Sequence, residues 1–247
     1  MLRSAVMVLL CAVSCWVQAG EIVWLDHFTK ESVEVPAPWR VVQLNSKVPP
    51  TRYSITRWDD VSAIEATAER SMALLARPVE IDLSRTPVLC WRWRVDAPLV
   101  NADMASKSAD DYAARVYVSF AMPASELGFL TRAKLKLARS IYGDVVPDAV
   151  ISYVWDNSHP IGMHRPNVST DRMRMNVAES GVANAGKWVV ARHDVQRDMV
   201  AEFGSEQARL IQLAVAADTD NTGESAHAGF SGFHFVDRAT ACFSGKT

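Results

Sequence analysis

Short runs in which apolar residues alternate with polar ones recur along most of the chain, and each run predicts a strand. Segments 22–26, 39–44, 53–58, 62–68 and 71–76 carry β-branched and aromatic residues, punctuated by Pro36, Pro38, Pro49, Pro50 and Pro78. Segments 88–96, 114–122, 149–156, 172–177 and 188–195 continue the series. Residues 210–236 close it with an alternating apolar run, the acidic turn Asp218-Thr219-Asp220-Asn221-Thr222-Gly223, and a second apolar run. Two segments have a different period. Residues 125–142 place Leu127, Leu130, Leu137 and Ile141 at helical spacing, after Pro123 and before Gly143. Residues 198–204 read as one or two helical turns ending at Gly204. Many short strands against a single long helical run predict an all-β protein, a jelly-roll-like β-sandwich with one inserted amphipathic helix. No repeat or low-complexity linker divides it, so residues 20–247 are expected to form a single domain.

Alternation gives several strands two chemically distinct faces. Trp91 and Trp93 fall on one side of their strand, and Arg92 and Arg94 on the other. Val116, Val118 and Phe120 form an apolar face, while Arg115, Tyr117 and Ser119 form a polar one. Tyr153 and Trp155 share a face and are followed by Asp156. Aromatic rings stack on sugar faces, and forked donors bind hydroxyls or carboxylates. Arg115, Tyr117, Tyr153, Trp155 and Asp156 are therefore the candidate ligand-binding residues. The alternative for the tryptophans is that they pack the core.

The first residues add a compartment. Arg3 is the only charge before Glu21, an apolar stretch runs over 5–17, and Val17-Gln18-Ala19 offers a cleavage site. That order predicts a signal peptide over 1–19 and a periplasmic or secreted mature protein. The stretch is short of the roughly 20 residues a membrane span needs, and no later run approaches that length. Cys90 and Cys242 remain after cleavage, either bonded in an oxidising compartment or buried as free thiols. The formal net charge is −2 and no long basic tract is present, so nucleic acid is not an expected partner.

The acidic turn suggests a cation. Asp218, Asp220 and Thr222 occupy positions 1, 3 and 5 of a calcium loop, and Gly223 the turning position, but Gly229 stands where the bidentate carboxylate belongs. Asp218 and Asp220, with Asp111 from a neighbouring strand, are the candidate ligands and calcium the ion. The alternative is a turn closed by its own side chains. His159 and His164 match no zinc spacing and read as loop residues. In 125–142, Arg132, Lys134, Lys136 and Arg139 follow one another with no acid among them, a pattern suited to anionic lipid, a polyanion, or a solvated face packed on a sheet edge. Signatures of serine-hydrolase elbows, zinc proteases, phosphate loops and dinucleotide folds are absent.

Trp91-Arg92-Trp93, Lys107, residues 110–117, Tyr153-Val154-Trp155, Gly186-Lys187-Trp188, residues 194–204 and the acidic turn together resemble an exported bacterial family of unknown function. The resemblance spans most of the mature chain and implies a periplasmic protein without an assigned activity. At the level of fold the pattern is also similar to galactose-binding-like and carbohydrate-binding modules. The expectation is a non-catalytic domain that binds a saccharide or another cell-envelope component. A glycan hydrolase or lyase using carboxylates near Asp111 and Asp218 is the first alternative, and a structural or interaction protein of the envelope the second.

Overall fold

The computed structural model describes residues 21–26, 28–143 and 146–243; the expected signal peptide lies outside them. In chain order the strands are β1 (Ile22–Trp24), β2 (Arg40–Val42), β3 (Arg52–Trp58), β4 (Val61–Glu69), β5 (Leu74–Pro78), β6 (Val88–Val95) and β7 (Tyr112–Ala121). After helix α1 (Phe129–Tyr142) come β8 (Ala149–Asp156), β9 (His164–Pro166), β10 (Met173–Ser180) and β11 (Val189–Asp194). Helix α2 (Val195–Phe203), β12 (Arg209–Asp218) and β13 (Ser225–Val236) complete the series. They build two sheets. One has the order β11-β6-β13-β4-β3, with β1 also paired to β13; the other runs β2-β5-β12-β7-β8-β10-β9. Every pairing is antiparallel except β8 with β10. The sandwich expected from the alternating runs is the fold observed.

Inward-facing residues of both sheets fill the space between them. Trp91 and Trp93 of β6, Phe120 of β7, Tyr153 and Trp155 of β8, and Phe230, Phe233 and Phe235 of β13 are buried there. The rings of Trp91 and Tyr153 lie 5.4 Å apart, and those of Trp93 and Trp155 5.7 Å apart. The expected division of β6 also holds: the tryptophans enter the core, and Arg94 lies outside over the Trp58 ring. Cys90 and Cys242 form a disulfide that ties β6 to the C-terminal segment.

The closing pair of strands is split. β12 belongs to the seven-stranded sheet and β13 to the six-stranded one, so the acidic turn is a corner between sheets. α2 begins where the Asp194 side chain accepts the Arg197 amide at 3.0 Å, and ends at Gly204 in the left-handed region with φ 70°. α1 begins later than the spacing predicts. Ala124–Glu126 form a single 3₁₀ turn, Leu127 is extended, and Gly128 caps the helix proper. Of the described side chains of α1, Leu135 alone is buried.

Candidate functional site

The outer face of the seven-stranded sheet carries a groove of about 500 Å³, within the usual size of small-ligand sites. Its floor follows from alternation and register. With Val116, Val118 and Phe120 turned to the core, Arg115, Tyr117 and Ser119 of β7 must face outward. On β12 they stand opposite Ala216, Ala214 and Gln212 respectively, and Ala214 in turn opposes Ala76 of β5. Methyl side chains beside Arg115 and Tyr117 leave the trough open. Leu44, Met72 and Leu74 are among its apolar lining residues, as are Val146, Pro147 and Met173. Asp110, Asn167, Asp218, Asp220 and Asn221 complete the polar lining.

Arg115 organises the polar residues. Its guanidinium reaches Asp218 Oδ2 at 2.9 Å and Asp110 Oδ1 at 3.0 Å, donates to the Asp110 carbonyl, and lies 4.2 Å from the Tyr112 ring centre. Asn167 Nδ2 donates to the second Asp110 oxygen at 2.7 Å. The Tyr112 amide donates to Asp218 Oδ1 at 3.3 Å. Burial alone would lower the Arg115 guanidinium, but Asp218 and Asp110 outweigh it and hold it above its ordinary value. Burial pushes the Asp218 carboxyl up; Arg115 opposes the shift, while Asp111, Asp110 and Asp220 add to it. Burial also raises the Tyr117 phenol against the pull of Arg115, so it stays a neutral donor and acceptor. Three groove carboxyls share one guanidinium, and repulsion among them favours a proton on one.

Protein donors close much of the acidic turn. Asp111 Oδ2 accepts the amides of Asn221 (2.9 Å) and Thr222 (2.7 Å) and the Thr222 hydroxyl (2.9 Å), while Oδ1 accepts Asn221 Nδ2 at 2.9 Å. Asp218 is bound to Arg115 and to a backbone amide. Of the Asp111–Asp218–Asp220 set predicted for calcium, Asp111 and Asp218 thus accept hydrogen bonds from protein donors. Among the described residues no group of three or more His, Cys, Asp or Glu is placed to hold a metal.

Two more assignments change. Tyr153 and Trp155 were expected to line the ligand surface with Arg115, but both are fully buried between the sheets. Register is the reason. Arg115 opposes Val154, and Tyr117 opposes Ser152, so the outward positions of β8 are its even-numbered ones. Asp156, also expected at the site, closes the turn after β8 instead. It accepts the amides of Ser158 (2.8 Å) and His159 (2.6 Å) and pairs with the His159 ring. His164 pairs with Glu202 at 3.2 Å, so the two histidines serve different contacts. Arg115 and Tyr117 do line the groove. Residues missed at the sequence level are Gln212 and Asn167. Gln212 had a signal, being the only polar residue in the run 210–217; Asn167 lies in a loop and had none.

Fold and site together define an all-β sandwich protein with a carboxylate-rich groove on one outer face. The chain belongs to the family described as Protein of unknown function (DUF3047), whose model matches residues 37–234 and so includes every groove residue. No curated protein matches the chain. Among solved structures it is similar to a meso-active thermo-stable cellulase derived from the Cel12A cellulase of Rhodothermus marinus, at 11% identity and a TM-score of 0.42, covering 88% of this chain and 100% of that one. It is also similar to endoglucanase 3 of Trichoderma harzianum, from family GH12, at 7% identity and a TM-score of 0.33, covering 83% and 99%. At these values both are loose likenesses, and they say nothing of this chain's activity.

Proposed function

We propose that the outer-face groove binds a saccharide or a related hydroxyl-rich component of the cell envelope, without converting it. The observation that supports this best is preorganisation. Asp110, Asn167, Arg115 and Asp218 hold one another by hydrogen bonds, so little side-chain order is lost when a ligand arrives. Their planar groups, with Tyr117 and Gln212, offer donors and acceptors to hydroxyls, and Leu74 and Met173 offer apolar surface to C–H faces. The excess of carboxyls over Arg115 disfavours nucleic acid and other polyanions. The reading includes export to an oxidising compartment, and the Cys90–Cys242 disulfide supports it.

One observation favours a second reading. Burial pushes the Asp218 carboxyl up to about 8 against the pull of Arg115, while the more exposed Asp220 stands in the same groove, two carboxyls in unequal surroundings. A hydrolase would use that pair, since Asp111 is committed to the turn. A glycan array probed with the purified protein tests binding. Retention of a related set of glycans, unchanged in mass after long incubation, supports the first reading. Cleaved products that vanish with Asp220→Asn support the second. Absence of any retained glycan removes both.

A further inference from the structure

We infer that α1 docks on an anionic lipid surface. The helix is amphipathic, yet its apolar stripe faces away from the protein. Phe129, Leu130, Leu137 and Ile141 are 75%, 73%, 63% and 65% exposed. At about 100° per residue, Leu130, Leu137 and Ile141 project within roughly 20° of one direction. The attachment to the body lies on another side. Leu135 is buried, and Arg139 holds Asp148 at 2.8 Å and the Val146 carbonyl at 3.0 Å. The stripe is therefore presented rather than spent on packing, and four apolar side chains stand in water for no benefit to the fold.

Charge selects the occupant. Arg132, Lys134, Lys136 and Arg139 are the only charged residues of α1. Arg139 is taken by Asp148, and Lys134 lies 3.9 Å from Asp171 with both side chains exposed. Arg132 and Lys136 have no ion pair among the described residues. Lys134 stands about 40° from the stripe and Lys136 about 120° from it, whereas Arg132 falls on the side of Arg139. An apolar stripe with exposed lysines beside it matches the boundary of an anionic bilayer: the stripe enters the acyl edge, and the long basic side chains reach back to the headgroups. The docked helix also brings the groove to the membrane. A cavity under α1 lined by Leu135 and Ala138 shares Val146, Pro147, Val150, Thr170 and Met173 with the groove. This inference does not depend on what the groove binds.

The test is co-sedimentation with vesicles of phosphatidylcholine, with and without phosphatidylglycerol, using protein expressed from its full sequence. Binding is expected only with phosphatidylglycerol, weakening as salt rises. Lys134→Gln with Lys136→Gln is expected to weaken it by about fivefold per charge removed. Leu137→Asp with Ile141→Asp is expected to weaken it by roughly a hundredfold. All four positions are exposed, and unchanged melting of each variant confirms its fold. Amide exchange over Phe129–Tyr142 is expected to slow on the vesicles. Four outcomes overturn the proposal: no binding; binding equal on both vesicle types; binding indifferent to the helix substitutions, as an N-terminal apolar segment would give; or a stripe capped by self-association or a protein partner rather than by lipid.

Discussion

Replacing Asp111 by Ala removes the acceptor that closes the corner between the two sheets. Its carboxylate is fully buried and receives four hydrogen bonds of 2.7–2.9 Å from Asn221 and Thr222. Hydrogen bonds to a charged group contribute about 1.5–3 kcal/mol each, but Asn221 is exposed and Thr222 half-buried, so water recovers part of the loss. A net destabilisation of about 3–5 kcal/mol follows, or a fall of roughly 10 °C in melting temperature for a domain of this size. Asp111→Asn keeps an oxygen toward the two amides and the hydroxyl, and its NH₂ meets an Asn221 amide that can turn over. That substitution is expected to cost only about 1 kcal/mol. Urea unfolding of the three proteins, with calcium and with chelator, provides the assay. The order wild type, Asn, Ala is expected, with calcium moving none of them. A value for Asp111→Ala within about 0.5 kcal/mol of wild type would refute the reasoning, since such a change is typical of an inert surface site. So would a calcium-dependent rise that only Asp111→Ala loses, because the carboxylate would then be serving a cation.

Three further outcomes follow from other parts of the molecule. The Cys90–Cys242 disulfide closes a separation of 152 residues, so Cys90→Ser with Cys242→Ser is expected to lower stability by about 5 kcal/mol in the chain-entropy picture, read by urea unfolding without reductant. Burial raises Asp26 from 3.8 to about 6, against the Gly232 amide that binds it at 3.0 Å. Below pH 3.8 both states hold the proton; as pH rises to 6 the unfolded chain releases it first, so about 3 kcal/mol of stability is lost over that window. Asp26→Asn should remove this slope in melting experiments across pH. A Cβ at Gly229 would lie 2.8 Å from the Trp188 ring and 3.0 Å from the Trp58 ring, so Gly229→Ala is expected to cost about 1–3 kcal/mol by thermal melting; an unchanged melting point would mean that the rings yield freely.

Strand alternation carried most of what the sequence revealed. It separated Trp91 and Trp93 from Arg92 and Arg94, and Arg115 and Tyr117 from the core valines, because a buried face admits few alternatives. It failed for Tyr153 and Trp155. All eight residues of β8 are buried, since loops cover its outer face as well, so the side toward the core depends on pairing register with β7. Register is a long-range property that no local pattern encodes. The acidic turn was legible as a turn but not in its closure, because Asp111 is 110 residues away from Asn221. The helix was legible in its spacing and its stop at Gly143, while its start and its orientation were not. Leu130, Leu137 and Ile141 look like a packing face in sequence, and only the anchoring by Leu135 and Arg139 turns them outward.

Calorimetric titration of a glycan retained on the array, against wild type, Gln212→Ala and Trp58→Ala, tests the groove most directly. Gln212 lies in the groove beside Ser119, whereas Trp58 stacks on His227 at the outer face of the other sheet. Loss of one hydrogen bond at Gln212 is expected to cost about 1 kcal/mol, roughly a fivefold fall in affinity. Trp58→Ala, checked for intact folding, is expected to leave the affinity unchanged. Affinity that follows Trp58 and ignores Gln212 would contradict the account and move the binding site to the six-stranded sheet.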